Sequence, residues 1–264
     1  MLSDQVLLTE DAGGVRTLTL NRPDSFNSMT THLKEELLAA LRAAAEDESV
    51  RAVVLTGSGR AFCAGQDLKE HVAALTSGDD SPLRTVELHY NPIVETITGM
   101  GKPVIAAVNG TAAGAGASFA YACDLRIAAR GAKFMMAFAG IGLTADSGAS
   151  WTLPRLIGYG RAMEIMLLGN PVTAEEALNI GMVNQVVDDD AVLSTAVALA
   201  GRLATGPTSA YAEIKSAMLT AASADLSAAL AHEGVGQNKL GATADHREAV
   251  DAFVNKRKPT FTGH

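Results

Sequence analysis

The chain has 264 residues, 48% of them hydrophobic and 19% charged, which is the composition of a compact domain with one substantial core rather than a disordered chain. A formal net charge of −8 and a pI near 5.2 exclude a surface built for nucleic acid or for an anionic membrane. Two cysteines, Cys63 and Cys123, are too few for a disulfide framework and lack the spacing of a metal knuckle, so reduced thiols in the cytoplasm are expected.

Residues 5–9 and 15–20 alternate like two half-buried strands joined by Asp11-Ala12-Gly13-Gly14. Thr31 suits the N-cap of a helix whose apolar face is Leu33, Leu37, Leu38, Leu41 and Ala44. Val53-Val54-Leu55 reads as a buried strand. It is followed by the small-residue turn 61–69 and a helix from about Leu68. Residues 76–84 read as a mobile loop, and 85–98 as a helix that stops before Gly99.

The run Val104 to Val108 is too short for a helix and reads as a buried strand. Asn109-Gly110 ends it, and small residues then lead into a helix from Ala115 to Ala122. A strand is expected at 125–129. The order so far is that of an α/β fold. After Trp151 the pattern is helical, with segments at 161–168, 173–179, 189–204, 208–221, 226–239 and 243–256 and only 182–187 strand-like. The division expected is a core over 1–200 and a helical region over 201–264. The apolar faces of that region call for a partner, so oligomerisation is expected. No basic, then apolar leader opens the chain and no apolar run reaches membrane-spanning length, so neither a signal peptide nor a membrane anchor is expected.

Gly114-Ala115-Gly116 does not complete a dinucleotide fingerprint, because Phe119 stands at the third glycine position and no acid follows at the ribose distance. The six histidines show no metal-ligand spacing. Ser118 and Ser147 lack the G-x-S-x-G context of a nucleophilic serine. Two turns, Ala64-Gly65-Gln66 and Gly114-Ala115-Gly116, each follow a buried strand and open a helix. Two backbone N–H groups from such turns, converging on one oxygen, would make an oxyanion hole. Asp146 is an isolated acid in a stretch of small and apolar residues. It could be a general base, or simply the N-cap of a helix over 147–156. Asp188-Asp189-Asp190 reads as a solvated helix start, Met135 and Met136 as lining, and His89 beside Tyr90 as a minor substrate candidate.

AFCAGQDLKEH, KPVIAAVNGTAAGAGAS, CDLRIAA, AKF and DHREAVDAFVNKRKPTF together resemble the crotonase, or enoyl-CoA hydratase/isomerase, superfamily over nearly the whole chain. The resemblance implies a superhelix of repeated ββα turns with a helical C-terminal region, an acyl-CoA thioester substrate, trimers or dimers of trimers, and no cofactor beyond the coenzyme A of the substrate. It implies that the Gln66 and Ala115 N–H groups are the oxyanion donors, that Ala64 borders the adenine, and that Lys69 approaches a CoA phosphate. Asp67, Leu68, Gly114 and Phe138 would line the same substrate path. Phe253 and Lys256 match positions that reach CoA bound to a neighbouring subunit. Hydratases of the superfamily carry two glutamates where this chain has Ser118 and Phe138.

The segments GQDL, Tyr90-Asn91-Pro92, AAGAGA, 146–151 and KRKPTFTG are similar to the ring-1,2-epoxyphenylacetyl-CoA isomerases of phenylacetate degradation, whose catalytic base is an aspartate at the position of Asp146. Ala145 and Ala149 depart from that pattern. The function expected is therefore isomerisation of an acyl-CoA, by a double-bond shift or the opening of a ring epoxide, with Asp146 as the single proton shuttle. The alternatives are a hydratase recruiting water through Asp146, and a catalytically weak CoA-thioester binding protein suggested by Ala115 and Ala149 at usual glycine positions.

Overall fold

The computed structural model describes residues 5–78 and 81–264. Strands β1 (Leu7–Ala12) and β2 (Val15–Leu20) form an antiparallel hairpin closed by Gly13-Gly14 alone; Ala12 pairs with Val15. The strand expected at 5–9 thus runs further, because the turn needs only two residues when both take positive φ. Helix α1 (Thr31–Glu46) is capped by Thr30, whose side chain accepts from the Leu33 N–H, so the cap lies one residue before the expected Thr31.

Three ββα units follow. In the first, β3 (Ala52–Gly57) leads through β4 (Ala61–Cys63) to α2 (Leu68–Thr76). A turn of π-helix over Val86–Tyr90 and helix α3 (Asn91–Gly99) then lead to the second unit. It comprises β5 (Val104–Val108), β6 (Thr111–Ala113) and α4 (Ala115–Ala122). The third has β7 (Leu125–Ala129), β8 (Lys133–Met135) and, after a longer connection, α5 (Ala149–Ile157). The remaining elements are α6 (Tyr159–Leu168), β9 (Val172–Thr173), α7 (Ala174–Asn179), β10 (Gln185–Val187), α8 (Val192–Ala204), α9 (Thr208–Ala221), α10 (Leu226–Gly241) and α11 (Ala244–Val254).

The strands make two sheets. One has six strands in the order β1-β2-β3-β5-β7-β10, parallel apart from the first pair. The other has four, β4-β6-β8-β9. This is the α/β superhelix of repeated ββα turns that the sequence leads one to expect. β3, β5 and much of β7 are buried, which is why they read as unbroken apolar runs rather than alternating ones. The stripe Val192, Ala196, Ala200 and Ala204 of α8 is buried, and α8 packs on β2, β3, β5 and β7. The boundary expected at residue 200 therefore falls inside a helix that belongs to the sheet. The last strand is shorter than the expected 182–187, because the Met182 and Val183 N–H groups close a turn onto the Ala177 carbonyl. Of the loop expected at 76–84, Asp79 and Asp80 lie outside the described residues, and Thr76 is the last residue of α2.

Candidate active site

Each of the two small-residue turns sits where a short strand of the second sheet hands over to a helix. β4 ends at Cys63, and the chain is then pinned to the segment before α1. The Ala64 N–H donates to the Phe26 carbonyl, the Met29 N–H to the Gly65 carbonyl and the Asp67 N–H to the Met29 carbonyl. β6 ends at Ala113; the Gly114 N–H donates to the Met135 carbonyl and Ala115 begins α4. The two turns touch. A Cβ built on Gly65, which has φ +86°, would lie 2.9 Å from the Ala113 oxygen and 3.5 Å from the Ala115 nitrogen. One on Gly116 would lie 2.3 Å from the Cys63 carbonyl oxygen. Only glycine allows this approach.

Among the described residues, neither the Gln66 nor the Ala115 N–H donates to an acceptor within the chain. The Ala115 N–H opens α4 and has no intrahelical partner, and with the Gln66 N–H, just ahead of the α2 cap, it makes a pair that suits an oxygen gaining negative charge. The Gln66 side chain is held back from the turn it belongs to. Its Oε1 accepts from the Tyr90 hydroxyl and from Lys34 Nζ, the latter at 3.1 Å. Tyr90 is buried and meets Phe119 of α4 edge-on, with ring centroids 5.8 Å apart.

Asp146 lies between Phe138 and α5. The N-cap alternative fails, since α5 starts at Ala149 after Gly148 in the left-handed conformation and no side chain caps it. The Asp146 carboxylate accepts from the Ser147 hydroxyl at 2.8 Å. Burial pushes its pKa up, partly offset by that hydrogen bond. Its charge also acts on Tyr90, whose hydroxyl is raised in pKa by burial first and then by Cys63 and Asp146. Met136 and Phe138, expected as apolar neighbours of the acid, are buried, and Leu143 is half-buried.

The two positions at which a hydratase would carry glutamates hold no acid. Ser118 is fully buried, with its hydroxyl donating to the Gly114 carbonyl at 3.0 Å. Phe138 places its ring tip 3.9 Å from where a Gly114 Cβ would stand. Ala64, Leu68 and Lys69 are exposed along the first turn, and Gly114 is half-buried. Asp67, expected to line the substrate path, is tied into the fold. Its carboxylate receives Arg22 and Ser28, each at 2.9 Å, and caps α2 at the Lys69 and Glu70 N–H groups. Burial opposes ionisation of Asp67, but the Arg22 and Ser28 bonds outweigh it and the net pKa is lowered. Phe253 lies in the last turn of α11 and Lys256 just beyond it, and Phe253 is 85% exposed on this single chain.

Lys34 escapes a reading by residue type, though a signal exists. It occupies the stripe of Leu37, Leu41 and Ala44 on α1, and a lysine at an apolar register position marks a buried charge.

Residues 10–264 match the family model described as enoyl-CoA hydratase/isomerase. The chain belongs to the enoyl-CoA hydratase/isomerase family. It is 46% identical to the 1,2-epoxyphenylacetyl-CoA isomerase of Escherichia coli K12, covering 98% of this chain and 99% of that one. It is 33% identical to the short-chain-enoyl-CoA hydratase of Clostridium acetobutylicum, over 96% and 95% of the two chains. Among solved structures, the enoyl-CoA hydratase of Bacillus anthracis superposes with a TM-score of 0.93 at 33% identity, covering 98% of this chain and all of that one. Relatives of this enzyme family thus carry both isomerase and hydratase names.

Proposed function

We propose that this chain is an acyl-CoA isomerase that works through an oxyanion-stabilised enolate with Asp146 as its only proton shuttle. The observation that carries this reading is one half-buried carboxylate of raised pKa beside two touching N–H-bearing turns in a chain whose Ser118 and Phe138 hold no second acid. The thioester oxygen lies between the Gln66 and Ala115 N–H groups, where loss of one donor typically costs about 3 kcal/mol. With a 3-enoyl thioester, the Asp146 carboxylate takes a proton from C2 and the electron pair moves onto the thioester oxygen as a dienolate. Asp146 then returns that proton to C4 as the carbonyl re-forms, leaving the 2-enoyl isomer. Atoms balance with no water, metal or redox partner, and coenzyme A enters only as part of the substrate. The relative from E. coli is named for the isomerisation of a ring-epoxide thioester, which supports extending the proposal to ring-epoxide opening in a phenylacetyl-type thioester.

Asp146→Asn is expected to lower kcat by about 10²- to 10⁴-fold, the range of a lost general base, while thioester affinity stays within a few-fold. Mass spectrometry and ultraviolet absorbance on a 3-enoyl-CoA and its 2-enoyl isomer read this directly. Interconversion at constant mass, lost in the variant, supports the isomerase; a gain of one water on the 2-enoyl ester overturns it. The Clostridium relative favours that second reading, a hydratase in which Asp146 activates water.

A further inference from the structure

Gln66 also borders a chamber of about 480 Å³. Lys34 of α1, Glu70 and His71 of α2, and Thr85 and His89 ahead of α3 contribute to its wall. Binding pockets are ordinarily apolar with a few polar groups. This one has the opposite balance.

Two of its groups are incompletely satisfied. Lys34 is 1% exposed, and its ammonium meets only neutral acceptors, Thr85 Oγ1 at 2.7 Å and Gln66 Oε1 at 3.1 Å, together with the Tyr90 ring face at 5.1 Å. Among the described residues it forms no ion pair. Glu70, the nearest acid in the wall, directs Oε2 to the Thr31 N–H at 2.8 Å and to the Thr31 hydroxyl at 3.1 Å. His71 Nδ1 is buried without a hydrogen-bond partner. His89 Nδ1 is already matched to Thr85 Oγ1 at 3.0 Å. A buried ammonium whose hydrogen-bond partners are all neutral, with Glu70, Asp67 and Glu35 acting on it only at longer range, and a buried ring nitrogen without a partner are both unfavourable. An oxygen acceptor in the space they line relieves both.

We propose that this chamber receives the distal end of the acyl group, and that the end it takes carries an oxygen acceptor bound by Lys34 Nζ and His71 Nδ1. The inference rests on the acyl-CoA reading above. Under that reading the Gln66 N–H holds the thioester oxygen while its side chain forms part of the chamber wall, so an acyl chain leaving the thioester has the chamber beside it. A carboxylate and a neutral hydroxyl or carbonyl share this chemistry. Among the described residues of the wall, Arg84 adds a second cation and Glu70 is the one acid.

The test uses saturated thioesters, which carry no double bond to move, so binding is read apart from turnover. Calorimetry on the full-length protein compares hexanoyl-CoA with adipoyl-CoA and with 6-hydroxyhexanoyl-CoA. At least one oxygen-ended ester is expected to bind tenfold or more tightly than hexanoyl-CoA; which one does so distinguishes a carboxylate site from a neutral one. Lys34→Met and His71→Leu are expected to narrow that ratio towards one. Equal affinity for all three esters in the wild-type protein, or preference for hexanoyl-CoA, overturns the inference without touching the isomerase reading. Failure of every ester to bind removes the acyl-CoA reading and this one with it. A preserved preference in a protein that isomerises nothing leaves the chamber assignment standing.

Discussion

A methyl group added at Gly65 would stand 2.9 Å from the Ala113 oxygen on a backbone at φ +86°, so Gly65→Ala must either strain the first turn or part it from the second. Left-handed backbone alone costs about 1–2 kcal/mol for a non-glycine residue. The parting matters more for function, since proposed catalysis needs both N–H groups on one oxygen. Gly65→Ala is therefore expected to lower kcat by about 10²-fold or more, with a smaller change in thioester affinity; an unchanged kcat would remove the paired-turn assignment.

Asp146 offers a second test at the same scale. Its carboxyl pKa is raised above the usual 3.8 by burial, so the folded chain holds the proton more tightly than the unfolded one. Its contribution to stability is complete below the unfolded pKa and is lost as pH rises through the raised folded value. Asparagine carries no charge to desolvate and keeps an acceptor for the Ser147 hydroxyl. Thermal melts should find Asp146→Asn more stable than the parent at pH 8, with the gap closing as pH falls towards 4. A variant less stable at pH 8 would contradict the burial argument. The same raised pKa should place the acid limb of the parent's kcat profile above the ordinary aspartate range.

At the scale of elements, Asp67 ties α2 to the segment before α1 by joining Arg22, Ser28 and the helix cap in one carboxylate. Removing one partner of a largely buried pair and a cap together is expected to cost about 3 kcal/mol. Urea unfolding of Asp67→Ala measures it, and a loss below about 1 kcal/mol would show that the network adds little. Because the Asp67 pKa is lowered, its stabilisation is present above the unfolded pKa and fades as pH falls through the folded value.

Elements of this length also decide what could be read beforehand. α1, β3, β5, α4, β7 and the later helices were legible because six or more residues of pattern, or a fully apolar run, define a period. The strands β4, β6 and β9 have two or three residues each and read as turns, so the second sheet, which brings the two amide-bearing turns together, is invisible to periodicity. The segment 85–98 reads as one helix, yet its first turn is π-helical, and that difference does not alter which residues are apolar. Gln66, Ala115 and Asp146 are candidates that their turns and the resemblance single out. Lys34 and His71 were missed, because an amphipathic helix is read from its apolar positions and a charged residue among them is passed over.

Over the whole molecule, the C-terminal helices leave apolar side chains uncovered on the single chain. Leu226, Leu230 and Val235 of α10 are 75%, 57% and 69% exposed, and Phe253 and Val254 at the end of α11 are 85% and 71% exposed. Apolar surface on that scale usually marks an interaction site. The proposed cover is further copies of the chain, as a trimer or a dimer of trimers, which would also carry Phe253 and Lys256 to CoA on a neighbour. Sedimentation equilibrium should then return three or six times the 27.3 kDa chain mass. Two substitutions separate assembly from ligand contact. Phe253→Asp buries a charge in the proposed interface, so it should lower the sedimenting mass and weaken thioester binding together. Lys256→Ala removes a cation from the exposed segment just past α11, so it should weaken thioester binding several-fold at unchanged mass. A parent protein that sediments as one chain while binding thioesters fully would show that the site is complete within a single chain and that α10 and α11 face solvent.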